Sequence, residues 1–272
     1  MTHVATMSPR ADGEINLSEH IKILHDRAVL QITFARPEKK NALSNAMYVA
    51  ATAALAEAEA SPDVRVVLFA AEGDAFTAGN DLADFANAAA GKGDGLAAHG
   101  FIEALGRAGK PIVAAAPGLC VGVGTTMLLH CDLVYLAEDA KLSTPFVNLA
   151  LVPEAASSLL LPQRIGYVRA FAMFALGESL SGLEAVALGL ANKALPREAV
   201  LPAAREAAYA LAARPLGAIM ATKALMRNKE LLLRRMGEEG AVFGERLKSA
   251  EAREAFQAFA ERRPPNFEKL AR

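Results

Sequence analysis

Cysteine and histidine are both scarce in this chain of 272 residues. The two cysteines, Cys120 and Cys131, are too few for a disulfide framework, which fits a reducing compartment. The five histidines form no Cys/His cluster with the spacing of metal ligands; they are His3, His20, His25, His99 and His130. The sequence therefore predicts no structural metal.

A membrane-spanning run and a dominant charge are also missing. Hydrophobic residues make up 53% of the chain, yet no apolar run reaches the ~20 residues that cross a bilayer. The formal net charge of −1 leaves no general basic surface for nucleic acid. The N-terminal residues lack the basic start and apolar stretch of a signal peptide, so we expect a flexible leader on a cytoplasmic protein.

Strand and helix patterns alternate along the chain as far as about Leu195, and helical patterns dominate afterwards. This order predicts an α/β body followed by a helical C-terminal part. We expect a leader over residues 1–17, a core over residues 18–200 and a helical region over residues 201–272. Within the core, Ser44 is expected to be the N-cap of a helix, and another helix is expected from Glu154 to Ile165.

Three stretches at suitable spacing carry a family resemblance. They are Arg36-Pro-Glu-Lys-Lys-Asn-Ala-Leu43, then Ala75-Phe-Thr-Ala-Gly-Asn-Asp-Leu82, then Pro111 to Leu133 with Gly118, Gly122, Gly124 and Cys131-Asp132. Each is weak alone, but together and in this order the sequence resembles the crotonase superfamily, the enoyl-CoA hydratase/isomerase group.

The resemblance implies a spiral of ββα units that forms two nearly perpendicular sheets. It also implies a helical C-terminal region that assembles homotrimers, often paired as hexamers. The implied substrate is an acyl-coenzyme A thioester, with no cofactor apart from the coenzyme A that it carries.

The resemblance also implies an oxyanion hole, made by the backbone N–H groups of Asn80 and Val123. Each group lies just ahead of a predicted helix, where unpaired amides and the helix dipole favour an anion. Glycines beside them let a ligand approach the backbone closely. Taken alone, the loop from Gly122 to Gly124 is better explained as an ordinary tight loop, and we expect Asp81 to serve as a helix N-cap.

The two glutamates that a hydratase of this superfamily uses fall at Thr126 and Phe146 in this chain, and neither side chain can serve as a base for water. Glu154 instead resembles the single glutamate of peroxisomal-type Δ3,Δ2-enoyl-CoA isomerases. One base suffices for isomerisation, because the carboxylate that removes a proton from C2 can return it at C4. From the residues alone, Pro153-Glu154 is also a common way to begin a helix.

For the coenzyme A moiety, the resemblance implies contacts from three loops. The residues are Lys39, Lys40, Ala42, Ala78, Gly79, Asp81, Leu82 and Gly122. Lys39 or Lys40 would pair with a phosphate as a point charge, although a solvated loop is the alternative for either lysine.

The isomerase interpretation has two alternatives. One is other enolate chemistry on the same fold, such as hydration, thioester hydrolysis or decarboxylation. The other is a non-catalytic scaffold that binds coenzyme A or RNA, because a fold can be reused for another task.

Overall fold

The computed structural model describes residues 15–81, 83–84 and 96–270. Within them, seven strands form a large sheet in the order β1-β2-β3-β4-β6-β8-β11. The strands β1 to β3 are antiparallel, whereas β3, β4, β6, β8 and β11 run parallel. Their bounds are β1 Ile15–Ser18, β2 Ile21–Asp26, β3 Val29–Phe34, β4 Val66–Ala71, β6 Ile112–Ala116, β8 Leu133–Ala137 and β11 Lys193–Leu195.

A second sheet holds four short strands in the order β10-β9-β7-β5. The strands β5, β7 and β9 are parallel, and β10 is antiparallel to β9. Their bounds are β5 Ala75–Thr77, β7 Leu119–Val121, β9 Lys141–Ser143 and β10 Ser179–Ser181. From β4 to β9, successive strands belong alternately to the large sheet and to the small sheet. This repeated pair of strands recurs along the part of the chain in which strand and helix patterns alternate.

The helices lie between and after these strands. They are α1 Asn45–Ala60, α2 Ala98–Arg107, α3 Val123–Thr126, α4 Ser157–Ile165, α5 Tyr167–Leu176, α6 Gly182–Ala187, α7 Arg197–Ala212, α8 Leu216–Met226, α9 Lys229–Leu247 and α10 Ala250–Ala260. The predicted α/β class and helical C-terminal region are confirmed. The predicted boundary after residue 200 falls inside α7, which packs on β4, β6 and β8 of the large sheet.

The core consists of the apolar faces of the large sheet and of the helices that cover it. Phe34, Phe69, Phe76 and Phe101 are fully buried, and Phe69 meets Phe101 edge-on with ring centroids 6.0 Å apart. Helix α1 begins where expected, because the hydroxyl of Ser44 accepts the Met47 amide and caps it. This packing fixes the ends of the strands from which the functional loops emerge.

Two local expectations need correction. Ile15–Ser18 pairs with β2, so the last residues of the predicted leader belong to the sheet. Helix α4 begins at Ser157 rather than at Glu154, because Ala155 and Ala156 both adopt left-handed backbone conformations, with φ of 60° and 55°. Among the described residues, no helix is both long and apolar enough to cross a membrane.

Candidate active site

The parallel register of the small sheet brings two of the sequence motifs together. Strands β5 and β7 pair with Ala75 opposite Leu119 and Thr77 opposite Cys120. Because carboxyl ends of parallel strands share one edge of a sheet, the loops that hold Asn80 and Val123 leave from the same edge.

Glycines allow these two loops to touch through their backbones. A Cβ atom on Gly79 would lie 2.9 Å from the Val121 carbonyl oxygen, and one on Gly124 would lie 2.9 Å from that of Thr77. Gly79 also has a φ of 90°, which side-chain-bearing residues rarely adopt. Both glycines are therefore required by the close approach of the two loops, whereas the sequence analysis had assigned the small residues here to the approach of a ligand.

The backbone amides of Asn80 and Val123 are the unused donors of this edge. The neighbouring amides of Asp81 and Gly122 each donate to a backbone carbonyl at 2.9 Å. Within the part of the chain that the structure describes, the amides of Asn80 and Val123 donate no hydrogen bond. Two such donors on adjoining loops suit an oxygen atom that gains negative charge.

Glu154 lies beside this edge, held by Thr126. The Thr126 hydroxyl donates a short hydrogen bond to Oε1 of Glu154. Its Oε2 is shielded from solvent and has no hydrogen-bond partner among the described residues. Burial is the main cause that raises the pKa of Glu154 to about 8, and the charge of Glu239 adds to it, while the Thr126 hydrogen bond opposes them.

Tyr48, on α1, lies near both the Asn80 loop and Glu154. Its hydroxyl donates a short hydrogen bond to the side-chain oxygen of Asn80. Burial raises the pKa of Tyr48, and the charge of Glu154 raises it further, so the phenol lies within the electrostatic reach of that carboxylate. Asn80 and Glu154 therefore both lie near Tyr48, a residue to which the sequence analysis gave no role.

Thr126 and Phe146, at the positions of the hydratase glutamates, are neutral and buried. Thr126 is buried and its hydroxyl faces Glu154. Phe146 is buried, with its ring centroid 6.2 Å from that of Phe174. The sequence indicated the absence of carboxylates here but not the bond between Thr126 and Glu154.

The Arg36–Leu43 motif shapes the loop that was predicted to bind coenzyme A. Asn41 is buried with a left-handed backbone, and its side-chain amide donates to the carbonyls of Glu72 and Ala75 at 2.8 Å each. Its side-chain oxygen accepts the amide of Arg36 at 2.7 Å. The motif therefore determines the shape of the loop. The sequence analysis had assigned residues of this loop to contact with coenzyme A and gave them no structural role.

The side chains predicted to contact coenzyme A differ in whether other residues of the protein already bind them. Lys39 is exposed and forms no ion pair with any described residue, whereas Lys40 pairs with Asp74 at 2.6 Å. The Asp81 carboxylate binds Arg36 at 2.7 Å and also accepts the Ala83 amide at 2.9 Å, so it acts structurally, in line with the N-cap reading. Its pKa is lowered by Arg36 despite partial burial.

The remaining predicted contacts are backbone positions. The Ala42 carbonyl accepts the Arg36 guanidinium at 3.1 Å, and the Ala78 amide donates to the Lys40 carbonyl at 2.8 Å. Gly122 is a turn residue with a φ of 55° and open space at its Cα. Leu82 lies outside the described residues.

The two cysteines and His130 are core residues rather than reactive groups. Both thiols are buried, and burial raises the pKa of Cys131 to about 12 and that of Cys120 further. Burial and nearby cations lower the pKa of His130 to about 3, so its ring is neutral at physiological pH. Two cavities of about 580 Å³ and 780 Å³ flank α8, and neither is lined by Asn80, Val123 or Glu154.

Comparison with known proteins identifies the family of the chain. The family model described as Enoyl-CoA hydratase/isomerase matches residues 25–270. The chain is 31% identical to enoyl-CoA delta isomerase 2 of Rattus norvegicus, over 93% of this chain and 66% of the rat protein. It is 32% identical to a probable enoyl-CoA hydratase of Bacillus subtilis, over 91% of this chain and 98% of that protein.

Two solved structures are similar along nearly their full length. An enoyl-CoA hydratase/isomerase from Pseudoalteromonas atlantica superposes with a TM-score of 0.86 at 38% identity, covering 92% of this chain and 100% of the other. OdaA of Pseudomonas aeruginosa superposes with a TM-score of 0.84 at 44% identity, covering 89% and 99%. Because the family model matches nearly the whole chain and these folds superpose along it, the chain belongs to the enoyl-CoA hydratase/isomerase family of the crotonase superfamily.

Proposed function

We propose that the protein is an enoyl-CoA isomerase that converts 3-enoyl-CoA to 2-enoyl-CoA, with Glu154 as its proton shuttle. The observation that carries the proposal is Oε2 of Glu154, a buried carboxylate oxygen that has no hydrogen-bond partner among the described residues. The same carboxylate is bound through Oε1 by Thr126, on the helix that begins at Val123. An orphaned buried polar atom needs an explanation, and a proton in transfer to and from substrate supplies one.

In the proposed reaction, the ionised Glu154 removes a proton from C2 of the substrate. The electron pair of that C–H bond moves into the thioester, and the resulting dienolate oxygen accepts hydrogen bonds from the amides of Asn80 and Val123. The protonated Glu154 then gives the proton to C4, so the double bond moves from C3–C4 to C2–C3. The reaction is balanced without an oxidant, a reductant, water or a further cofactor.

The raised pKa of Glu154 suits both halves of this shuttle. A base with a pKa near the working pH is ionised often enough to accept a proton and acidic enough to return it. Because the ionised form is the active one, we expect kcat/KM to rise about tenfold per pH unit below the pKa and to level off near pH 8.

For substrate binding, we propose that Lys39 contacts a phosphate of coenzyme A. The rest of the coenzyme A site is proposed to be formed by Lys40, Ala42, Ala78, Gly79, Asp81, Leu82 and Gly122. Lys39 is exposed and forms no ion pair with any described residue, which supports this over a role for Lys40, whose charge is already paired with Asp74. We propose a homotrimer, or a hexamer of two trimers, as the assembly.

The decisive experiment follows conjugated 2-enoyl-CoA spectrophotometrically after adding 3-enoyl-CoA, with Glu154→Gln beside the wild type. We expect kcat to fall by about 10²- to 10⁴-fold, which is typical for loss of a general base. Glu103→Gln is the matched control, because Glu103 is an exposed glutamate paired with Arg107 on α2.

Hydration of 2-enoyl-CoA in the same preparation would favour the hydratase activity named for several relatives. Full activity in Glu154→Gln would remove Glu154 from the mechanism. Tight binding of acyl-CoA without any turnover would favour a non-catalytic scaffold.

A further inference from the structure

The turn that carries Glu154 into the site has an unusual backbone. Ala155 and Ala156, which directly follow it, are both left-handed, a conformation that a side chain makes unfavourable. Ala156 is also the N-cap of α4, yet its methyl group cannot accept a hydrogen bond from the helix amides. Contacts from elsewhere must therefore hold this turn.

A carboxylate from a distant helix supplies the missing cap. Glu239, on α9, is buried, and its Oε2 accepts the amide of Ala156 at 2.6 Å while Oε1 accepts that of Ser158 at 2.9 Å. Burial raises the pKa of Glu239, whereas the two N–H groups that its oxygens accept from and the nearby Arg235 favour the ionised carboxylate and oppose that shift. The carboxylate does for α4 what a serine or aspartate does at an ordinary N-cap.

His130 holds the same turn from the other side. The guanidinium of Arg227 lies at hydrogen-bond distance from Nδ1 of His130. Because arginine can only donate, Nδ1 accepts and the ring proton resides on Nε2. Nε2 therefore donates to the Ala155 carbonyl at 2.7 Å, and Arg227 selects the tautomer that makes this bond possible.

We propose, given the isomerase function above, that Glu239 and His130 are positioning residues that clamp the left-handed turn at Ala155 and Ala156 and so aim Glu154 at its substrate. The clamp acts on the backbone on the C-terminal side of Glu154, and Thr126 holds the carboxylate itself. A general base must meet the reacting carbon within a small tolerance, so a loosened turn lowers the rate without removing the base.

The charge of Glu239 also affects the pKa of Glu154, an effect that can be measured separately from the shape of the turn. It is one of the causes that raise the pKa of Glu154, along with burial. The other titratable groups facing the pair are Tyr48, beside Glu154, and Arg235, near Glu239; His99 of α2 packs against α9 at Gly240. A change at Glu239 that removes its charge is therefore expected to lower the pKa of Glu154.

The test compares Glu239→Gln with Glu239→Asp. Glutamine keeps the shape but removes the charge, and it turns an N–H₂ group toward one of the two amides. We expect kcat to fall at least about tenfold with KM changed little, and the acidic limb of the pH profile to move to lower pH. Aspartate keeps the charge but loses reach, so kcat falls while the pH profile stays; this variant also serves if Glu239→Gln does not fold.

The matched control is Glu59→Gln. The Glu59 carboxylate also accepts two backbone amides, those of Gly109 and Lys110 at 3.1 Å and 3.0 Å, in a loop without any proposed site residue. Its substitution is expected to lower stability without altering kcat or the pH profile. Hydrogen exchange of the amides of residues 155–158 is followed in all variants and is expected to accelerate only when Glu239 is changed.

The outcomes separate this proposal from the isomerase function. If Glu154→Gln is inactive while Glu239→Gln keeps the wild-type kcat and pH profile, the clamp is overturned and the function stands. If Glu154→Gln is fully active, the function fails, and exchange at residues 155–158 then judges the clamp: unchanged exchange in Glu239→Gln overturns it.

Discussion

At the scale of single residues, the proposed chemistry of this protein depends on one carboxyl group in an unfavourable environment. Glu154 has one oxygen bound by Thr126 and one without a partner among the described residues, and burial raises its pKa to about 8. Such a group is neutral more often than an exposed glutamate, and its ionised form destabilises the folded state. Function is therefore expected to be linked to a cost in stability.

This linkage predicts how Glu154→Gln changes stability with pH. A carboxyl whose pKa is higher in the folded than in the unfolded protein stabilises the fold below its unfolded value, near 4.5, and loses that contribution as pH rises toward 8. The glutamine variant does not ionise, so its stability relative to wild type is expected to grow by about 2–4 kcal/mol between pH 5 and pH 9.

Chemical denaturation followed by circular dichroism at several pH values measures this difference. Glu103→Gln is the control, because the pKa of Glu103 is shifted in the opposite direction: Arg107 lowers it. The stability of this variant relative to wild type is therefore not expected to increase at alkaline pH. A difference between Glu154→Gln and wild type that stays constant across this range would show that Glu154 is solvated.

At the scale of elements, the proposed oxyanion site is a consequence of two loops that leave the same edge of the small sheet. Neither loop forms the site alone, because each contributes one amide, from Asn80 or Val123. Their separation is set by the contact of Gly79 with Val121 and of Gly124 with Thr77.

Gly124→Ala is expected to disturb this contact. The added Cβ would lie 2.7 Å from Cγ2 of Thr77 and 2.9 Å from its carbonyl oxygen, so the Val123 loop must move. Displacing one oxyanion donor is expected to lower kcat by about 10²- to 10³-fold. Gly100→Ala, at a helical glycine with open space around it, is the control, and equal activity of the two variants would contradict the assigned site.

At the scale of the whole molecule, several large apolar side chains remain exposed, and those on α5 and α8 lie close together along their helices. Tyr167, Val168 and Phe171 on α5 are 71%, 80% and 56% exposed, and Leu225 and Met226 on α8 are 90% and 83% exposed. Exposed apolar groups of this size typically mark a protein interface. They support the proposed assembly of identical subunits.

The double variant Val168→Asp/Phe171→Asp is expected to reduce the trimer or hexamer to smaller species, because charges cannot be buried unpaired in an interface. Light scattering after size exclusion measures the mass. Lys193→Asp, an exposed site with the same total change in charge, is the control. A wild type that is already monomeric would refute the assembly.

Much of this molecule could be predicted from sequence because its signals are local. Alternating strand and helix patterns predicted the α/β class, the Ser44 hydroxyl predicted the start of α1, and three motifs predicted the family. The short strands β5, β7, β9 and β10 were missed, because three residues are too few to show a period. The helix predicted from Glu154 was wrong, because a preference for helix cannot reveal a left-handed turn that is held from outside.

What the sequence by itself determined was the identity of the groups: a glutamate after Pro153, small residues beside two amides, and no carboxylate at 126 or 146. Only the tertiary structure decided how they act. The bond from Thr126, the burial that raises the pKa of Glu154, and the contacts of His130 and Glu239 with its turn all join residues far apart in the chain. Such contacts form only when strands and helices pack, so no local pattern records them.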